Sequence, residues 1–251
     1  MATIVQEIDN DLSGTTSSLA AGSLTFTAGN LIAVFVKWEG IDTTTTISGF
    51  TAGTKQANPT PTAWGQWFYK LSATGGALDV TANFSPATEY PEIFVYEVSA
   101  SGTWEFDTQA TANGTSTAPS SGNMTVAGPE GVAFGGYAEF SGETLSAALI
   151  NGVAADRTDS PPTLYARAWA KVHASGFTGA ASATLSASVV WACCGIAFKA
   201  TAGGPSAVPG TLMLLGVGGM VRLMAAARLT QDHTRRDWFK TLLACFLGGK
   251  T

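Results

Sequence analysis

Apolar positions along this chain fall into short runs, most of them alternating with polar residues at a period of two, the spacing of half-buried β-strands. The densest run, Asn30–Trp38 (NLIAVFVKW), is apolar at seven of nine positions and rich in β-branched and aromatic residues. It predicts a strand buried on both faces. Ile93–Val98 and Val189–Phe198 are similar and are expected in the same core. Between them, Ala63–Leu71 sets Trp64, Gln66 and Phe68 on one face and Trp67 and Tyr69 on the other, as an internal strand would. Leu78, Val80, Ala82 and Phe84 form a one-sided strand, and Trp104, Phe106 and Thr108 oppose Glu105, Asp107 and Gln109. Gly135-Gly136 inside the run Val132–Phe140 predicts a bulge or a close backbone approach. Leu145–Ile150 fits a strand or one helical turn. About a dozen segments at this spacing predict an all-β fold, an antiparallel two-sheet sandwich of jelly-roll type, over residues 1–200. No period of 20–50 residues repeats, which argues against a solenoid.

Composition sharpens that picture. Charged residues are only 12% of the 251, whereas Gly, Ser, Thr and Ala are abundant, as in strands joined by small-residue turns. The net charge of −5 is unevenly distributed: residues 1–204 carry seven basic and sixteen acidic side chains, a balance of −9, and the remainder has a balance of +4. No nucleic-acid partner is expected, because the acidic part has no basic stripe to neutralise phosphates. Three cysteines cannot build a disulfide framework. Cys193 and Cys194, adjacent in an apolar strand, should point to opposite faces as small buried side chains. With only two histidines besides, no zinc site and no cofactor are expected. The segment MATIVQEIDNDLSG has neither the basic nor the apolar region of a signal peptide.

After residue 200 the composition changes. Residues 201–210 read as a linker and 211–251 as an apolar, basic, helical tail. Leu212, Leu214 and Leu215 lie in a 16-residue apolar run that contains Arg222 and falls short of the roughly 20 residues a bilayer span needs. Trp238, Phe239, Leu242, Leu243 and Phe246 share one broad helical face, suited to a neighbouring subunit or to a membrane surface.

Candidate chemistry is sparse. Glu105 and Asp107, two apart on a strand, would sit about 7 Å apart on one face, a tolerable spacing for a glycosidase pair but also that of an ordinary solvated face. His173 ends a strand and His233 lies in the polar part of the tail. The aromatic residues Trp64, Trp67, Tyr69 and Trp104 are the candidates for stacking on sugar rings, whereas Trp38, Trp169 and Trp191 read as core.

Two resemblances add to this. Val208-Pro209-Gly210-Thr211-Leu212, a Gly-interrupted apolar run and an Ala-rich end with Arg228 resemble the PEP-CTERM sorting signal of exosortase substrates, without its Glu-Pro. The resemblance implies secretion with the tail recognised at a membrane. Thr-Ala-Gly-Asn-Leu-Ile at 27–32, GQWFYK at 65–70, EIFVYEVS at 92–99, EFDTQAT at 105–111 and the closing VVWACCGIAFKA are similar to uncharacterised β-sandwich domains of bacteriophage structural proteins and bacterial surface proteins. The expectation is therefore a non-catalytic structural or recognition module on a virion or cell surface, whose tail docks to a neighbouring subunit. Its partners would be copies of itself, other structural subunits or glycans. A glycan-binding module of the bacterial envelope with membrane contact through the tail, and a glycoside-active enzyme, are the alternatives.

Overall fold

A computed structural model of the chain describes residues 1–128, 130–159 and 166–201, and these form strands and turns without a helix. Of the expected linker only Thr201 is described, and it is a strand residue; 202–210 and the tail lie outside the described residues, together with every tail position named above. The first half comprises β1 (Thr3–Asp11), β2 (Thr15–Phe26), β3 (Leu31–Glu39), β4 (Thr44–Ile47), β5 (Thr51–Ala52), β6 (Gln56–Ala57), β7 (Ala63–Lys70) and β8 (Gly76–Ser99). The second comprises β9 (Thr103–Ser116), β10 (Ser120–Val126), β11 (Gly131–Ala138), β12 (Leu145–Ile150), β13 (Val153–Ala154), β14 (Arg157–Asp159), β15 (Ala166–His173), β16 (Phe177–Leu185) and β17 (Val189–Thr201). The pairings are antiparallel.

The two halves repeat one strand order. In the first, β1-β8-β3-β7-β5 makes one layer, while β2 and β4 flank the early part of the long β8 in another. In the second, β9-β17-β11-β15-β14 and β10-β16-β12-β13 do the same, with β16 and β17 in the roles of the early and late parts of β8. Strand for strand, β1 corresponds to β9, β3 to β11 and β7 to β15.

Each half closes its own core. Ile32, Val34, Val36 and Trp38 of β3 pack with Leu19, Trp64, Phe68, Val80 and Phe84. Ala133 and Tyr137 of β11 pack with Met124, Trp169, Ala181, Leu185, Trp191 and Cys193. The opposite faces of the two five-stranded sheets meet in a third core. There Leu31, Phe35, Trp67, Phe94 and Tyr96 meet Phe134, Cys194, Ile196 and Phe198. The result is four layers of sheet.

The sheets stack with their strand orders reversed. Gln109 of β9 accepts from the Thr54 N–H at 3.0 Å and donates to the Thr54 hydroxyl at 2.9 Å, and Asn113 donates to the Ala57 carbonyl, which places β9 over the β5–β6 edge. At the other edge Arg157 of β14 reaches Glu7 of β1 at 3.6 Å. At the centre Phe35 of β3 lies against Gly136 of β11. Such an arrangement is that of two like subunits about a dyad, here within one chain.

Several expectations hold at the level of single residues. Cys193 and Cys194 face different cores, and Trp38, Trp169 and Trp191 are buried. Ala63–Leu71 has the expected two faces. Leu145–Ile150 is a strand. At Gly135-Gly136 the close approach is realised and the bulge is not: β11 keeps unbroken register with both neighbours. A Cβ on Gly135 would stand 2.2 Å from the Trp169 ring. Asn113–Asn123, for all its Gly, Ser, Thr and Pro, extends β9 to Ser116 and begins β10 at Ser120. Its main chain there is held by pairing with β17 and β16.

Candidate functional site

The rings expected to meet sugars are mostly inside. Trp64 is 4% exposed and stacks on Trp38 with centroids 6.4 Å apart. Trp67 is 2% exposed, and its ring meets Phe35 and Phe134. Trp104 is buried at the margin of the central core. Their placement on a recognition face is therefore corrected: faces already covered by protein side chains offer nothing to a sugar. The reason lies in the double layering, since strands that look two-sided by sequence do bury both sides here. Tyr69 differs. It is half-buried and stacks at 5.6 Å and 15° on Phe106, which is 36% exposed.

The candidate acids and nucleophiles serve local structure. Glu105 pairs with Lys199 at 3.5 Å, and Asp107 accepts the Ala127 N–H at 2.6 Å. His173 Nδ1 lies 3.1 Å from the Ser175 carbonyl, its ring packs edge-on against Phe177, and burial pulls its pKa down. Burial pushes both thiols up, Cys194 to about 12, far from the thiolate range. Among the described residues no group of His, Cys, Asp or Glu is arranged to hold a metal ion. His233 lies outside the described residues.

The densest polar chemistry sits where sequence reading saw only a core strand. Near the end of β3, Lys37 and Glu39 face the seam between the halves, and Glu92 of β8 is the direct cross-strand partner of Lys37. Their side chains are 0%, 3% and 2% exposed. Lys37 Nζ donates to Glu39 Oε1, to Glu92 Oε1 at 3.0 Å and to the Tyr90 carbonyl at 3.3 Å. The second oxygen of Glu92, Oε2, is buried without a hydrogen-bond partner. Burial pushes the Glu92 carboxyl up to about 7, helped by Asp11 and Glu39 and opposed by Lys37. Glu39 is raised for the same reason, with Glu139 and Glu89 adding repulsion.

Beside this group the Glu139 carboxylate accepts the N–H groups of Ser141 at 2.9 Å and Glu143 at 2.6 Å, and burial raises its pKa too. Arg167 and Tyr137, cross-strand partners on β15 and β11, are buried nearby. A dry patch of Ala63, Ala138 and Ala192 completes this end of the seam. The signal in the sequence was a Lys-x-Glu at 37–39 inside an apolar run. Charges at that position are expensive to bury unless paired.

No family model matches this chain, and neither a curated protein nor a solved structure is found to match it.

Proposed function

We propose that this chain is a tandem jelly-roll protein serving as a non-catalytic structural module on a virion or cell surface, with the tail over 211–251 docking to a neighbouring subunit. The observation that carries the reading is the repeated strand order. The orders β1-β8-β3-β7 with β2-β8-β4, and β9-β17-β11-β15 with β10-β16-β12-β13, follow the pairing of an eight-stranded jelly roll, an architecture used in capsid and lectin domains. The aromatic seam between the halves supports a rigid block, and the apolar positions Leu212, Leu214, Leu215, Trp238 and Phe239 supply the docking residues in this reading. Light scattering on the full chain and on a fragment ending at Gly204 tests it. Oligomers of the full chain with a monomeric fragment agree with it; a monomeric full chain that floats with anionic vesicles through residues 205–251 favours the envelope alternative.

Glycan recognition is the second reading, and Tyr69 with Phe106 favours it, being a stacked pair that reaches solvent. Saturable binding to a polysaccharide that is lost in a Tyr69→Ser, Phe106→Ser double variant, with native circular dichroism retained, would support it.

A further inference from the structure

We propose that Lys37 and Glu92 become joined by an amide bond between β3 and β8, with Glu39 as the group that moves the proton. The two side chains are direct cross-strand partners, and Nζ lies 3.0 Å from Glu92 Oε1. Reactants held at such a distance behave as though at very high local concentration. Glu39 touches the same nitrogen. All three side chains are sealed from solvent, and the Thr88 hydroxyl, donating to the Glu39 carbonyl at 2.7 Å, fixes the strand that carries Glu39.

The step balances without any further reactant. Glu39, ionised, takes one proton from the Lys37 ammonium and leaves a neutral amine. The amine attacks Cδ of the protonated Glu92 carboxyl; the N–Cδ bond forms and the Cδ–Oε2 bond breaks. Oε2 departs as water with the second proton lost by nitrogen, and Glu39 retains the first. An ammonium and a carboxylate in a dry seam are thereby replaced by a neutral amide and a neutral acid. Removing buried charge favours the product, because desolvation is the main cost of such a group. Exclusion of water withholds the reagent that would reverse the step. The environment supplies the acid form that the reaction needs at Glu92, since the carboxyl is pushed up to about 7 and its Oε2 has no donor to stabilise a charge.

The inference goes beyond the structural role proposed above and stands or falls separately from it. The test is the intact mass of the full chain under denaturing conditions, followed by peptide mapping. A mass lower than the sequence mass by one water, with a branched peptide containing Lys37 and Glu92, is the expected result. Glu39→Gln, with native near-ultraviolet circular dichroism, should keep the full sequence mass. Recovery of Lys37 and Glu92 in separate linear peptides from the wild-type chain overturns the proposal, whether or not the variant folds. A branch joining Lys37 to Glu39 overturns the assignment of roles, as does a linked Glu39→Gln variant.

Discussion

The indole N–H of Trp67 on β7 donates to the carbonyl oxygen of Cys194 on β17 at 3.1 Å, a hydrogen bond that crosses from one half of the chain to the other. Around it the Trp67 ring contacts Phe35, Tyr96 and Phe134 at centroid distances of 5.1, 6.4 and 5.2 Å. Trp67→Ala should therefore cost about 3–5 kcal/mol, the range for emptying a large aromatic site. Because the central core is shared, urea transitions followed by fluorescence and by circular dichroism should coincide in the wild-type chain. Separate midpoints for the two probes would show that the halves unfold independently.

Phe35 is wedged between two glycines. A Cβ on Gly65 or on Gly136 would stand 2.8 Å from its ring. Gly136→Ala should destabilise by about 1–3 kcal/mol through overpacking, and Gly135→Ala by more. There the obstructing Trp169 ring is anchored by its own N–H to the Leu149 carbonyl at 3.2 Å. Denaturant midpoints of the two variants give the order directly.

Glu97 is a buried carboxylate held by neutral donors. It accepts from the Gln6 amide at 2.5 Å, the Thr27 N–H at 2.7 Å and the Asn30 amide at 2.7 Å, tying β1 and the β2–β3 turn to β8. Glu97→Gln would turn one acceptor into a donor facing donors. A loss of about 1–3 kcal/mol is expected, measurable by chemical denaturation.

Glu105 and Asp107 should separate by mutation despite their shared strand face. The Glu105–Lys199 pair is exposed, so Glu105→Gln should shift stability by less than about 0.5 kcal/mol. Asp107→Ala removes the acceptor of the Ala127 N–H and should cost about 1 kcal/mol. Equal effects in thermal melts would contradict this division.

His173 gives the protein a pH dependence of known sign. Its folded pKa is depressed by burial, so below the ordinary value of about 6.5 the unfolded chain takes up a proton that the folded chain refuses. Its contribution is constant above that value, and stability is lost as pH falls from there through the depressed pKa. The difference in urea stability between wild type and His173→Gln should change only in that window, and the imidazole resonances of His173 should titrate below the usual midpoint.

How much of this was legible depends on the range of the interaction involved. The alternation in Ala63–Leu71 and the apolar runs of β3, β8 and β17 are local, and they identified strands and faces from side-chain order alone. The tandem arrangement was not legible, because its repeat is one of strand pairing across about a hundred residues, with little side-chain identity to mark it. Gln6 and Asn10 on β1 bond β2 carbonyls of their own half, whereas Gln109 and Asn113 on β9 bond the opposite half. The aromatic candidates failed for the same reason. An internal strand in a lone sandwich and one in a stacked pair read alike, and only the partner sheet decides whether Trp67 meets solvent. The Lys37 group was visible as letters, but its meaning needed Glu92, which arrives from the far end of β8.

The four-layer stack also decides what lies on the two outer sheets of residues 1–201. Ser18, Thr25, Thr46, Asp79 and Asn83 line the outer surface of the β2-β8-β4 layer, and Asn123, Thr125, Thr178 and Thr184 line that of the β10-β16-β12 layer. Both are sheets of hydroxyls and amides with scarcely a charge between them. A block built this way has two polar, sparsely charged outer sheets. Contacts made through these sheets would be nearly blind to ionic strength.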